Sequence, residues 1–418
     1  MSLRSVLAAL AERAASALMR RRSRLPRRIN AIIDDVAHNP DGRWSRMANA
    51  LLGGSDPASI PPPSSAPDDP VRVYIGPTNY ASQGFRWARA LSSVDGIGAR
   101  NMAIELPGGF RFAADRLVPV AVYNASRRWQ EAEFAAVCRF SHVLIEAERP
   151  LFGTLFDRDV AREISELRDR GLSVAFLCHG TDIRSPRRHI DATPWSPYAD
   201  DPTQVGMLQD VADANLALLE RAGLPVFVST PDLLADVPFA AWCPVVVNED
   251  EWSAPRPAMV RDVPVVIHVP SKGTMKGTQL IDPIMRALRA EGVVDYRSLS
   301  GVEASAMPAL IGDADIVLDQ FRLGAYGVAA CEAMAAGRVV VGHVLPEVRR
   351  SVAEATGWQL PVREADPSTL EQVVRELVEN RAAAMTSAAL GPEFVAAVHS
   401  GPASSAALIS GWLERGVG

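Results

Sequence analysis

The sequence predicts an α/β protein: two tandem doubly wound, Rossmann-like domains behind an N-terminal helical extension. Two observations predict it. From Val71 onward, short runs rich in Val, Ile and Leu alternate with amphipathic helical stretches, the pattern of parallel sheet covered on both faces. That alternation stops once, in a proline-rich stretch near residues 244–262, and then restarts, which gives two such domains and a hinge. The 418 residues are enough for both. The expected organisation is a basic amphipathic helical extension over 1–54 and a Pro/Ser-rich linker over 55–70. An N-terminal domain over 71–250, a C-terminal domain over 251–400 and a last helix over 401–418 follow.

Each element has its own reason. In "SLRSVLAALAERAASALMRRR" the apolar residues Leu3, Val6, Leu7, Leu10, Ala14 and Leu18 fall at helical spacing. A second short helix after Pro26 puts Ile29, Ile32, Ile33 and Val36 on one face. The prolines of "SDPASIPPPSSAPDDP" refuse both helix and central strand, so 55–70 reads as semi-extended. "VRVYIG" then starts the strands, followed by the helix "GFRWARALSS", the strand "SHVLIEA", the helix "RDVAREISELRDRG" and the strand "LSVAFLCHG". The long helix "TQVGMLQDVADANLALLERAG" and the strand "LPVFVST" close the first domain. In the second, "VPVVIHVP", "ADIVLDQF" and "RVVVGHV" are strands, separated by the helices "GTQLIDPIMRALRAEG" and "YGVAACEAMAAG".

Composition excludes several classes. The four cysteines, Cys138, Cys178, Cys243 and Cys331, lie far apart without a CxxC, which reads as reduced, buried thiols in a cytoplasmic protein and argues against zinc. No run of 18 apolar residues exists to span a membrane as a helix. A signal peptide is not expected either, because the arginines of "RRRSRLPRR" follow the apolar segment. Residues 1–28 carry a net +7; with −6 over the whole chain, the rest carries −13. An acidic body without an aromatic-and-basic stripe argues against nucleic acid as a partner. The arginine-rich helix leaves two partners open: an anionic membrane surface on the cytoplasmic side, or the protein's own body or another subunit.

Ligands of open parallel sheets bind beyond the carboxyl ends of the strands, so the residues just after each strand carry the chemistry. "IGPTNYASQGFRW" offers Gly76 and Gly84 in a tight loop that opens a helix, whose first N–H groups suit an anion. "CHGTDIR" puts His179 at the end of a buried strand. "VVIHVPSKGTMKGT" holds Lys272 and Lys276, the only lysines among 43 basic residues, in a surface turn before a helix. A compact ammonium there suits a diphosphate without a metal ion. "LGAYGVAACEAMAAG" brings Gly324 and Gly327, whose backbone N–H groups can approach a ligand, and Glu332, whose carboxylate can accept two ribose hydroxyls. "DAD" at 313–315 precedes a strand instead of ending one, so it reads as a turn at the wrong end of the sheet for a metal.

Together these stretches resemble the GT-B glycosyltransferases, most closely the family 4 retaining enzymes, over residues 71 to about 415. The resemblance rests on the glycine loop at 76–84, "HGTD" at 179–182, the lysine–glycine step at 276–277 and "YGVAACEAMAAGRVVVG" at 326–342. It implies a transferase that moves a sugar from a nucleotide-diphosphate sugar to an acceptor hydroxyl, with retention and without metal or other cofactor. The acceptor is a carbohydrate, a lipid-linked molecule or a small molecule. By the same resemblance His179 acts near the reacting centre and Lys276 binds the donor diphosphate. Lys272 stands in for an arginine partner, and Glu332 is the second glutamate of an E-x7-E pair that holds the ribose. Gly84 matches the loop glycine that approaches phosphate or acceptor. Gly277, Gly324, Tyr326 and Gly327 complete the donor side.

The sequence departs from this family where the first glutamate of the pair should stand, at Gly324. The backbone of "GAYG" is left to take over part of that contact. Two alternatives stay open: a nucleotide-sugar 2-epimerase of the same architecture, and a catalytically silent GT-B module that binds a nucleotide sugar or a partner protein.

Overall fold

The computed structural model describes residues 60–106, 112–252, 254–270 and 273–414. The helices expected within 1–54, and Lys272, lie outside the described residues.

The apolar runs form parallel strands. Among the described residues β1 is Val71–Gly76, β2 Ile97–Glu105, β3 Arg116–Pro119, β4 His142–Glu146, β5 Ser173–Cys178, β6 Val226–Val228 and β7 Ala241–Trp242. They make a seven-stranded sheet in the order β3-β2-β1-β4-β5-β6-β7. Five more, β8 Val265–His268, β9 Asp295–Ser298, β10 Ile316–Leu318, β11 Val339–Gly342 and β12 Val362–Glu364, order as β12-β11-β10-β8-β9. Both orders are doubly wound, and each reverses direction once: between β1 and β4 in the first sheet, between β8 and β10 in the second. Contacts along the chain divide it into two units between Ala175 and Phe176, inside β5.

In the first unit β1 and β4 are buried along most of their length, as central strands should be. The helix Gln83–Ser92 crosses from β1 to β2 and buries Trp87, Ala88 and Leu91. β2 was not legible as a strand because Arg100 and Asn101 interrupt its apolar run. Asn101 is nonetheless buried, its Nδ2 donating to the Ile75 carbonyl at 3.3 Å. Residues 60–70 have the extended course expected, but they dock. The Ser64 N–H and hydroxyl donate to the buried Glu133 carboxylate at 2.7 and 2.6 Å, which also accepts from Tyr74 Oη. A buried carboxylate with three donors is a strong anchor.

The second unit packs the helices Thr278–Ala290 and Leu370–Glu379 on the five-stranded sheet. Ile281, Met285, Leu288, Val266, Ile316, Val341, Leu370 and Val374 share one core. The stretch expected as a hinge is bound to the second unit. The Met259 N–H donates to Asp315 at 2.8 Å, Arg338 donates to the Arg256 carbonyl and the Val247 N–H to the His399 carbonyl. Asp315 also accepts from the Val265 N–H and Arg261, which makes the helix-to-strand turn at 313–315 structural. The last helix, Gly401–Leu408, docks beside β7: Ser404 Oγ donates to the Pro244 carbonyl at 2.8 Å, and Gly411 lies against Phe227. Cys178, Cys243 and Cys331 are buried free thiols and Cys138 is half-buried.

Candidate functional site

Each sheet places a loop at the point where its strand order reverses, which is where doubly wound folds take ligands. In the first unit this is the loop after β1 with Gly76 and Gly84. The end of β4 supplies Glu146, fully buried, whose carboxylate accepts the N–H groups of Thr78 and Asn79 at 3.0–3.2 Å. Asn79 Oδ1 accepts the Phe85 N–H at 2.9 Å, in the first turn of the helix Gln83–Ser92. Of the donors expected to receive an anion, the Phe85 N–H is engaged by Asn79, and the Thr78 and Asn79 N–H groups of the loop are engaged by Glu146. Gly84 is required for that: a Cβ there would stand 2.7 Å from Asn101 Nδ2 and 3.0 Å from Glu146 Oε1. Gly76 likewise has the Met102 carbonyl 3.1 Å from where a Cβ would stand.

In the second unit β5 ends at Cys178 and delivers His179, half-buried. The Asp182 carboxylate accepts the N–H groups of His179 and Gly180, and so folds the "HGTD" turn on itself. Behind it Arg184 and Asp232 form a buried pair at 2.6 Å.

The reversal between β8 and β10 gathers most of the predicted donor side. Gly277 sits at φ +83°, the left-handed residue that starts the helix Thr278–Ala290, with Arg322 Cγ 3.0 Å from where its Cβ would be. The Phe321 N–H donates to the Lys276 carbonyl at 3.0 Å, so the lysine turn and the segment after β10 are bound together. Lys276 is not in the exposed turn that the sequence implied. Its side chain is 16% exposed and its Nζ lies 2.9 Å from Asp319 Oδ1. His268, at the end of β8, donates Nδ1–H to the Leu318 carbonyl and accepts from Thr278 Oγ1 on Nε2, both at 2.9 Å. Burial, with the Lys276 charge nearby, pushes its pKa down to about 4, so the ring is neutral.

Beyond Asp319 runs the glycine segment. Gly324 has φ +64°, and a Cβ there would stand 2.5 Å from Leu345 Cγ. The space a glutamate would enter is filled by leucine, and the Leu345 N–H donates to the Gly324 carbonyl at 2.9 Å. Gly327 precedes the helix Val328–Ala335, and its N–H is committed to Asp319 Oδ2 at 3.2 Å. It does not offer that N–H to a ligand as expected. Tyr326 also differs from the expectation. Its ring is buried and its hydroxyl donates to His399 Nε2 at 3.1 Å, so its side chain belongs to the core. Glu332 is half-buried on the helix that follows.

Three residues of this site were not singled out from sequence: Asp319, Arg322 and His189. Arg322 gives all its guanidinium donors to neighbours. It donates to the Trp195 and Ser196 carbonyls at 2.9 and 2.8 Å, to the Asp200 carboxylate at 2.6 and 2.8 Å, and to the Thr274 carbonyl at 3.4 Å. The hydrogen bonds from Arg322 hold the Asp200 carboxyl below its usual range. His189 accepts from Ser196 Oγ on Nδ1 and donates Nε2–H to the Leu323 carbonyl at 3.0 Å. The signal available in the sequence was "VLDQFR", a charged pair directly after an apolar strand.

Sucrose-phosphate synthase from Thermosynechococcus elongatus aligns with 83% of this chain and 98% of its own, at TM-score 0.53 and 14% identity. HepE from Anabaena, solved with UDP and glucose, aligns over 81% and 98%, at TM-score 0.51 and 10% identity. The chain has the GT-B fold. No family model matches it, and no curated protein matches it. At identities this low the likeness carries the GT-B architecture, and the chemistry has to be argued from residues. Within that architecture Lys276, Asp319 and the N-terminus of Val328–Ala335 converge at the reversal of the second GT-B sheet. Among the described residues no helix is long and apolar enough to cross a membrane.

Proposed function

We propose that this GT-B protein is a glycosyltransferase of the family 4 type. It moves a sugar from a nucleotide-diphosphate sugar to an acceptor hydroxyl, without a divalent metal and with retention of anomeric configuration. The observation that supports this reading is the ammonium of Lys276 at the reversal of the second sheet. In glycosyl transfer from such a donor, negative charge grows on the departing diphosphate as the anomeric carbon becomes oxocarbenium-like. Lys276 and the first N–H groups of the helix Val328–Ala335 supply the compensating charge.

In this reading Glu332 accepts the ribose hydroxyls and His179 acts at the reacting centre. Retention follows a front-face course. The bond from the anomeric carbon to the phosphate oxygen breaks, the bond to the acceptor oxygen forms on the same face, and the acceptor's proton passes to the departing phosphate. The acceptor is a carbohydrate, a lipid-linked molecule or a small molecule.

The test is isothermal titration of UDP, GDP and ADP, with and without EDTA, into the wild type and Lys276→Ala. UDP comes first because the HepE structure holds it. Binding of one diphosphate that survives EDTA and is lost in the variant supports the reading. A folded wild type that binds none of the three refutes it.

A further inference from the structure

Asp319 stands between the two groups assigned to the diphosphate. Its side chain is 3% exposed, and both carboxylate oxygens are engaged: Oδ1 on Lys276 Nζ at 2.9 Å, Oδ2 on the Gly327 N–H at 3.2 Å. Its backbone is pinned as well, since its N–H donates to the Val341 carbonyl at 3.0 Å at the end of the sheet. This carboxylate is held by strand geometry and does not swing away at low cost.

Two consequences follow from that placement. An ammonium has three N–H donors; among the described residues Asp319 takes one and no other acceptor takes the rest, so the pair aims two donors toward a ligand. The pair is also neutral in sum, so Lys276 attracts an anion less than an isolated lysine does. Arg322 does not restore the balance, because Asp200 neutralises it. A site of this kind grips a diphosphate loosely, which suits an enzyme that must release its nucleotide product after every turnover.

We propose that Asp319 is a positioning residue with a second effect: it fixes the Lys276 ammonium and lowers the affinity of the site for the departing diphosphate. This rests on the donor-site reading above. The experiment titrates inorganic pyrophosphate into the full-length wild type, Asp319→Asn and Asp319→Ala, at low and high salt, with thermal unfolding as the check on folding. Asn keeps a hydrogen bond to Lys276 through Oδ1 and removes the charge; Ala removes both. The expected result is pyrophosphate binding about tenfold tighter in Asp319→Asn and a smaller gain in Asp319→Ala, whose ammonium is no longer aimed, with both gains shrinking as salt screens them. Binding that is equal to or weaker than wild type in the folded variants overturns the proposal, and if Asn does not fold, Ala decides.

Titration of UDP, GDP and ADP separates this inference from the one beneath it. Nucleotides that bind wild type and the Asn variant equally well leave the transferase reading standing and refute the role of Asp319. A gain in pyrophosphate affinity in a protein that binds no nucleotide leaves the counter-charge standing and refutes the transferase reading. In an active preparation, Asp319→Asn lowers kcat and the product-inhibition constant of the nucleoside diphosphate together, a split that a merely structural role does not produce.

Discussion

Gly324→Ala tests whether Leu345 excludes a side chain from the position where the resemblance to family 4 leads one to expect a glutamate. The residue has φ +64°, and a Cβ there would lie 2.5 Å from Leu345 Cγ and 2.7 Å from its Cδ1. The left-handed backbone costs a non-glycine residue about 1–2 kcal/mol. Forcing a methyl against a buried leucine, whose own backbone N–H is tied to the Gly324 carbonyl, adds about 1–3 kcal/mol. The expected loss is about 2–5 kcal/mol in urea unfolding, and Gly324→Glu is at least as costly. Leu345→Ala in the Gly324→Ala background separates the two shares. The steric share of about 1–3 kcal/mol appears as favourable coupling in the double-mutant cycle, and the backbone share remains. A Gly324→Ala protein as stable as wild type refutes this reasoning, and with it the claim that Leu345 fills the space a side chain at 324 would enter.

Lys276→Ala abolishes diphosphate binding and also destabilises by about 1–3 kcal/mol, because it strands the buried Asp319 carboxylate; titration and thermal unfolding on one preparation check both. Gly84→Ala costs about 2–3 kcal/mol in urea unfolding, since its Cβ displaces Glu146 or Asn101 from their hydrogen bonds. Arg322→Lys loses the fork that satisfies the Trp195 and Ser196 carbonyls and costs about 2–4 kcal/mol by the same assay. His189, His268 and His399 are each held near pKa 4 by burial as neutral rings that donate one N–H to a carbonyl. An unfolded chain binds their protons near pH 6.5. Stability is therefore full above pH 6.5 and falls as pH drops towards 4, by up to about 3 kcal/mol per histidine. Urea unfolding at pH 7.5, 6, 5 and 4.5 shows that slope, and His399→Gln removes one proton from it.

The strands that sequence pattern revealed are the central ones, and those it missed fall into two kinds. β3, β7, β9 and β12 are the edges of their sheets. Edge strands carry charges on the side that water reaches, so "DYRS" and "VRE" lack the apolar continuity that betrays a buried strand. β2 is central but hides Asn101 by giving its amide a buried carbonyl partner, a compensation that no hydropathy pattern records. The site divides the same way. Lys276 and Gly277 drew notice because lysine is rare here and glycine marks a turn, and the structure puts both at the reversal of the second sheet. Asp319 and Arg322 were not, because their meaning lies in partners up to 127 positions away. Tyr326 misled for the converse reason: a tyrosine beside glycines reads as a ligand contact until His399, 73 residues on, is seen to take its hydroxyl.

On the function proposed above, the two reversals of strand order differ in how they would receive a diphosphate. Each puts an acid from the neighbouring strand against the loop: Glu146 from the end of β4, Asp319 just past the end of β10. In the first unit no lysine joins that contact. Glu146 accepts N–H groups from Thr78 and Asn79 directly, and Gly84 leaves no room for a side-chain atom, let alone a phosphate, between Glu146 and Asn101. An anion there would meet the buried Glu146 carboxyl group with the Thr78, Asn79 and Phe85 donors already engaged, at a cost of several kcal/mol. In the second unit the acid meets an ammonium that, among the described residues, has two donors left. The helix beyond it begins with the N–H groups of Val328 and Ala329, past the one that Asp319 takes. The same device thus closes one reversal to anions and only moderates the other. A Glu146→Gln protein should therefore bind pyrophosphate no better than wild type, whereas Asp319→Asn should gain. A gain in the first variant instead would move the anion site to the β1 loop and refute the assignment to Lys276.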